Sequence, residues 1–202
     1  MKSIYIYGAN GHGLVLRDIA ITCGYEDVMF VDDGDNEYPS FKDIKGEKNI
    51  PMAFGVGSNA TRAKLFEKVK QNGFEIVTLI HSSAIISPSA KIGAGVVVMP
   101  NVVINAKAVI GEGVILNTSC VIEHECIIED FAHISPNVAL AGAVKVGRYT
   151  HIGIGSNVIQ GIIIGKNVIV GGGSMVIRNI QDNQKVVGVP ARLISSTSYR
   201  GG

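Results

Sequence analysis

From Ile86 to Ile180 an aliphatic residue returns at every sixth position without a slip, running through Ile86, Ile92, Val98 and Ile104 to Val170 and Val176. Four residues after each stands a small or β-branched residue, among them Ala90, Val96, Cys120, Cys126, Thr150 and Ser174. A period of six is neither the turn of a helix nor the alternation of a hairpin strand. It predicts a parallel β-helix in which each hexad supplies one short strand and one corner. Positions four apart within a hexad become two apart across its boundary, so Cys120 and Ile122 share the inward side while Val121 points out. His124 and Glu125 then fall at a corner. Three hexads close a triangular coil, coils stack about 4.8 Å apart, and residues eighteen apart in sequence become neighbours.

The first eighty residues follow another pattern. Ile4 to Tyr7 predicts a strand that ends on Gly8-Ala9-Asn10-Gly11-His12-Gly13, followed by a helix over LVLRDIAITC that Gly24 closes. A second strand, Val28 to Val31, closes on Asp32 and Asp33, and a third, Ile50 to Val56, ends on Gly57. Ser58 or Asn59 is placed to cap a helix over ATRAKLFEKVKQN, terminated by Gly73, and Ile76 to Ile80 predicts a fourth strand. Gly34 to Lys48 is polar and reads as a loop. The expectation is therefore a small Rossmann-like α/β domain over residues 1–81, a β-helix over 82–194 and a disordered tail over 195–202.

Composition narrows the partners. A net charge of +1, with no run of lysine or arginine, argues against a nucleic-acid footprint and favours small molecules or copies of the chain itself. The start MKSIYIYG reads as a strand and not as a signal peptide, and no apolar run is long enough to suggest a membrane span. Three cysteines, two of them at inward positions, read as small core residues, which suggests a reducing cytoplasm.

Candidate chemistry lies in both parts. The glycine spacing G-x-x-G-x-G fails the dinucleotide fingerprint, and alone it is a tight strand-to-helix turn. It gains weight because the loop, the Asp32-Asp33 pair and the Gly57-Ser58-Asn59 turn all fall at carboxyl ends of parallel strands, where open α/β sheets bind ligands. Backbone N–H groups at the helix start would cradle phosphates. In the β-helix, His124 lies between Glu123 and Glu125, with Ala106 one coil below and Gly142 one coil above, leaving open space over the imidazole. A carboxylate neighbour to fix the tautomer suits a general base. His133 and His151, eighteen apart, stack facing outward; His151 reads as a solvated surface residue, while His133 could meet the His124 of a neighbouring copy. Zinc held by histidines between copies is an alternative, but the spacings show no convergence on a point.

The hexapeptide run, NTSCVIEHECII, Gly171-Gly172-Gly173, VVGVPARLI, YIYGANGHG and FVDD together resemble the left-handed β-helix acyltransferases. They resemble in particular the branch that N-acetylates nucleotide-activated amino sugars of the bacillosamine pathway, the PglD type. The resemblance implies a left-handed coil, a homotrimer with sites between subunits, and acetyl-CoA as co-substrate without a metal. It implies that His124 is the general base and Glu125 its support, and that Asn10, Gly11, His12, Asp32, Asp33 and Gly57 hold a UDP-amino sugar. His133, Gly142, Ile154 and Gly172 would border the acetyl-CoA channel. The implied reaction is acetylation of the 4-amino group of a UDP-4-amino-4,6-dideoxy sugar for bacterial glycan synthesis. Sialic acid O-acetylation, a GDP-amino sugar substrate, or a scaffold that has lost its chemistry are the alternatives.

Overall fold

A computed structural model describes residues 2–196. Three short strands, β1 (Ser3–Tyr7), β2 (Asp27–Val31) and β3 (Met52–Phe54), form a parallel sheet in the order β2-β1-β3. Helix α1 (Gly11–Thr22) links β1 to β2, and α2 (Asn59–Gln71) follows β3. Ser58 caps α2, its side chain accepting the Thr61 N–H. The expected fourth strand is not part of this sheet. Ile76 makes one bridge to Met52, and Leu79–Ile80 instead pairs with Val97–Val98 as the first rung of the β-helix. The α1 boundary also moves: the helix begins at Gly11, three residues before the expected Leu14, so the glycine loop is itself the helix start.

The rest of the chain is a triangular parallel β-helix of two-residue rungs. The first face carries rungs at 79–80, 97–98, 115–116, 133–134, 151–152 and 169–170; the second runs from 85–86 to 175–176 and the third from 91–92 to 163–164. Every rung lies in register on the one eighteen residues before it, as in Val121↔Ala139 and His133↔His151. The inward positions predicted from the period are buried from Val96 to Val176. Inward hydroxyls find partners at corner carbonyls: Thr150 donates to the Gly165 oxygen at 2.7 Å and Ser156 to the Gly171 oxygen at 3.0 Å. Cys120 and Cys126 are buried free thiols, and burial pushes the Cys120 thiol up to about 12.

Corners repeat as strictly as the strands. A left-handed residue recurs every six positions, including Asn101, Lys107, Ser119, Glu125, Phe131 and Ala143. Its N–H bonds an acceptor of the corner below: a carbonyl, as from Glu125 to Ala106 and from Ala143 to His124, both at 2.9 Å, or a hydroxyl, as from Asn101 to Ser83 Oγ at 2.9 Å and from Lys107 to Ser89 Oγ at 3.0 Å. The chain ends in an antiparallel hairpin of Gln184–Val187 and Arg192–Ser196. Ser195 and Ser196, expected in the tail, therefore extend a strand, and the rest of that tail lies outside the described residues. Among the described residues no helix is long and apolar enough to cross a membrane.

The α/β unit docks on the first face. Outward residues of that face, Val97 and Ile115, are buried with Ile4, Leu16 and Ile19 in one core, whereas Ile85 on the second face is 68% exposed. Arg62 of α2 crosses the seam fully buried. Its Nε donates to the Gly113 carbonyl at 2.7 Å, Nη2 to Phe131 at 2.9 Å, and Nη1 to Val56 and Gly57 at 3.1 Å. Burial lowers its pKa to about 9, which leaves it protonated at neutral pH. These partners are backbone carbonyls, so the charge is balanced by dipoles drawn from both units. Replacing Arg62 with Met should lower the unfolding free energy by about 3 kcal/mol, the cost of stranding several buried carbonyls. Urea denaturation measures this, and a loss below about 1 kcal/mol would remove Arg62 as the clasp of the seam.

Candidate active site

The six-residue period puts the Glu123-His124-Glu125 triplet on the edge between the second and third faces, after the rung Val121–Ile122. Glu125 takes the left-handed corner conformation, φ 60°, and this turns its carboxylate back toward its neighbour. His124 Nδ1 lies 3.2 Å from Glu125 Oε2, which fixes Nδ1 as the protonated nitrogen and leaves Nε2 as the basic one. Both side chains are more than half exposed. The clearance expected above the imidazole is taken up by the ring itself: a Cβ on Gly142 would lie 2.6 Å from both Cε1 and Nε2 of His124. Glycine at 142 is thus what lets the ring tip along the edge, and no carbonyl among the described residues accepts the Gly142 N–H.

Ile154 and Gly172 stack on the next edge, between the first and second faces, with the Gly173 N–H bonded to the Ile154 carbonyl at 2.8 Å. The second face therefore lies between Gly142 on one side and the Ile154-Gly172 pair on the other. It carries a cavity of about 390 Å³ lined mainly by apolar groups, with Val121, Ala139, Met175 and the half-buried Glu123 in its wall.

His133 is not with them. Contrary to the open, outward position expected, it is 8% exposed beneath the α/β unit, with its Nε2 3.2 Å from Asn117 Nδ2. His12 lies beside it, ring centroids 6.4 Å apart. His151, expected to be solvated, packs on His133 at 4.7 Å and pairs through Nε2 with Ser135 Oγ at 2.9 Å. Three imidazoles and Arg62 thus share the seam. Burial, with Arg62 nearby, lowers His12 to about 4; burial, with His151 and Arg62 nearby, lowers His133 to about 3. His12 Nε2 and His133 Nδ1 are buried with no hydrogen-bond partner. No group of three His, Cys, Asp or Glu among the described residues is placed to hold a metal ion.

The remaining candidates cluster at the carboxyl ends of β1, β2 and β3. Asp32 accepts the N–H groups of Ala9 and Gly34, both at 2.9 Å, and the Ala9 bond chiefly holds its carboxyl below the usual range. Asp33 accepts from Lys68 at 2.6 Å, Tyr7 at 2.5 Å and the Phe41 N–H at 2.9 Å; these bonds outweigh burial and lower its pKa. Asp33 is therefore mostly occupied in holding the loop, while Asp32 keeps acceptor capacity on both oxygens. Both border a cavity of about 190 Å³ with Tyr7, Gly8, Gly34 and Thr61. Asn10 lends α1 no side-chain cap and its first turn has no acidic residue, so the amides of Gly11 and His12 remain for an anion. The glycines divide by role. A Cβ on Gly13 would strike the Gly8 carbonyl at 2.0 Å and one on Gly55 would meet Gly13 at 2.7 Å, whereas Gly11 and Gly57 face open space.

The fold recurs in known proteins. A family model described as the PglD N-terminal domain matches residues 3–69. The crystal structure of PerB from Caulobacter crescentus in complex with CoA and GDP-perosamine is 35% identical, covers 96% of this chain and 97% of that one, and superposes with a TM-score of 0.91. The chain belongs to the PglD/PerB family of hexapeptide-repeat acetyltransferases. A second member, the acetyltransferase domain of PglB from Neisseria gonorrhoeae FA1090 in complex with acetyl coenzyme A, is 33% identical over 96% of this chain and 99% of that one, TM-score 0.90. The UDP-N-acetylbacillosamine N-acetyltransferase of Bacillus subtilis (strain 168) is 40% identical over 112 residues, 49% of this chain and about half (52%) of that protein's length. The fold of this PglD/PerB member, a small parallel-sheet unit leading into a parallel β-helix, is the one the resemblance implied.

Two residues of the site escaped the reading of the sequence. Arg62 sits in the buried stripe of α2 with Phe66 and Val69, and a charge at that helical spacing was the available signal. Asn117 carries no signal beyond its corner position. The buried imidazoles lead to a pH dependence. Neutral in the folded chain and with an ordinary value of 6.5 when unfolded, they contribute fully above 6.5, and that contribution is lost as pH falls toward about 4. The urea midpoint should therefore drop between about pH 7 and about pH 5, and His133→Gln should remove on the order of 1–2 kcal/mol of that drop. An unchanged slope in the variant would mean that His133 is not held neutral by the seam.

Proposed function

We propose that this chain transfers the acetyl group of acetyl-CoA to the amino group of a nucleotide-activated amino sugar. The first candidate is the 4-amino group of a UDP-4-amino-4,6-dideoxy sugar used in bacterial glycan synthesis in the cytoplasm. The observation that carries the reading is the His124–Glu125 pair, an exposed imidazole whose Nδ1 is tied to a carboxylate at 3.2 Å and whose other nitrogen rests against Gly142. The names of the relatives agree with it: one acts in the UDP-bacillosamine series, and another binds CoA and GDP-perosamine. A GDP-linked substrate is accordingly the second reading.

The chemistry follows from the two ends of the ring. Glu125 holds the Nδ1 proton, so Nε2 can take a proton from the attacking nitrogen as it bonds to the thioester carbon. The free N–H of Gly142 is a candidate donor to the oxyanion that develops. As the C–S bond breaks, the sulfur takes the proton that Nε2 carries. No cysteine is needed as nucleophile, since Cys120 and Cys126 are sealed in the core.

The topology supports a site shared between copies. His124 lies on the edge opposite the first face, and the loops of Gly11, Asp32 and Gly57 belong to the unit docked on that first face. One copy therefore holds its base and its nucleotide loops on opposite sides of the prism. A symmetric homotrimer would bring one copy's edge against another's docked unit and cover the exposed apolar residues Ile85, Ile127 and Ile163.

Release of CoA thiol with a panel of UDP-amino sugars, GDP-amino sugars and sialic acid separates the readings. With the accepted sugar, His124→Ala should cut turnover by about 10²–10⁴-fold and leave nucleotide-sugar affinity near normal. Turnover that survives this substitution removes His124 from the reaction.

A further inference from the structure

Glu125 has a partner in His124, but the other carboxylate of the triplet does not have one of comparable strength. Glu123 Oε2 receives only the His124 backbone N–H, at 3.3 Å. Among the described residues it makes no ion pair; the ion pair of this corner belongs to Glu125. The residues stacked around it are neutral: Asn105 lies one coil below and Ala141 one coil above. Lys107, the cation at the corner below, stacks under Glu125 and not under Glu123. Glu123 is half-buried and forms part of the wall of the 390 Å³ cavity, among Val121, Ala139 and Met175. A carboxylate at the rim of an apolar hollow, beside a base and without a counter-charge, has its desolvation offset only when a cation arrives.

We propose that Glu123 is the ammonium-recognising residue of this site: it receives the sugar as a protonated amine and so selects amino sugars over their hydroxy counterparts. This rests on the acetyl-transfer reading given above. An alkyl amine reaches the site mainly as –NH₃⁺ at neutral pH, and a thioester reacts only with its free electron pair. Glu123 holds the ammonium while His124 Nε2 takes one proton and passes it to water. The freed pair then forms the C–N bond. The second nitrogen proton moves to Nε2 and on to the departing sulfur. Ammonium and thioester become amide, thiol and one released proton, so charge and atoms balance. A hydroxy sugar brings no charge for Glu123 to pair, and its oxygen leaves a half-buried carboxylate poorly matched.

The test is calorimetric binding, without acetyl-CoA, of the accepted 4-amino nucleotide sugar and its 4-hydroxy counterpart to wild type, Glu123→Gln and Glu123→Asp. Wild type should favour the amine by about tenfold or more, the usual worth of a hydrogen bond to a charge. Glu123→Gln should reduce that preference to within about twofold while leaving the hydroxy sugar's affinity unchanged, and Glu123→Asp should recover part of it. In turnover, Glu123→Gln should raise the KM for the amino sugar and leave that for acetyl-CoA in place. An amine preference that persists in Glu123→Gln overturns the proposal, as does a wild type without any preference. Thiol release by wild type is scored separately: its absence with every amino sugar sinks the acetyl-transfer reading, and its presence with an unaltered Glu123→Gln sinks this inference alone.

Discussion

In a coil that closes every eighteen residues, the backbone bonds of each rung are completed only by the rungs above and below it. No hexad of this chain can satisfy its N–H and C=O groups alone, so the register is shared along the whole prism. The corner residues obey the same rule: each left-handed residue from Asn101 to Gly173 bonds the corner one coil below through its N–H. The site follows from this stacking. Glu125 occupies the left-handed corner position, His124 precedes it, and eighteen residues on Gly142 stands where any side chain would strike the imidazole. The imidazole is thereby held on a rigid edge without a loop of its own.

The second constraint is the seam. Arg62 brings a full charge into a dry interface and spreads it over carbonyls of the β3–α2 loop and of two successive coils. The neighbouring imidazoles His12, His133 and His151 are compatible with that charge only while neutral, which their burial ensures. The α/β unit is fixed to one face by this arrangement, and the consequence reaches the function. Under the proposed function, fixing the loops of Gly11, Asp32 and Gly57 to the first face sets them apart from His124, and assembly of copies rather than a hinge within one copy would complete the site.

How much of this could be read from the residues depends on how local the cause is. The hexad period is local and repeated, so the rungs, the inward cysteines and the corner position of His124 were legible. The strand at Leu79–Ile80 was visible, but not its partner; an apolar run does not say which sheet will take it, and the β-helix offered a rung in register. The start of α1 falls on glycines, which argue for a turn, although a first helical turn tolerates them because its N–H groups have no intrahelical partners. His133 and His151 were misplaced for one reason. Outward on a β-helix means exposed only if nothing docks there, and docking is a contact between segments that periodicity does not describe. The sequence likewise shows that Asp32 and Asp33 end a strand, but not that Lys68 and Tyr7 already hold one of them.

The account stands or falls on whether one copy's His124 works with another copy's nucleotide loops. Two variants test it directly: His124→Ala, and Gly57→Trp, which fills the open space at Gly57 without a backbone clash. Each alone should be inactive. Unfolded together and refolded as a mixture, they should regain roughly a quarter of wild-type thiol release, because random assembly pairs an intact edge with an intact loop at that fraction of sites. A mixture no more active than its parents, with assembly confirmed by sedimentation, would show that each copy's site is its own.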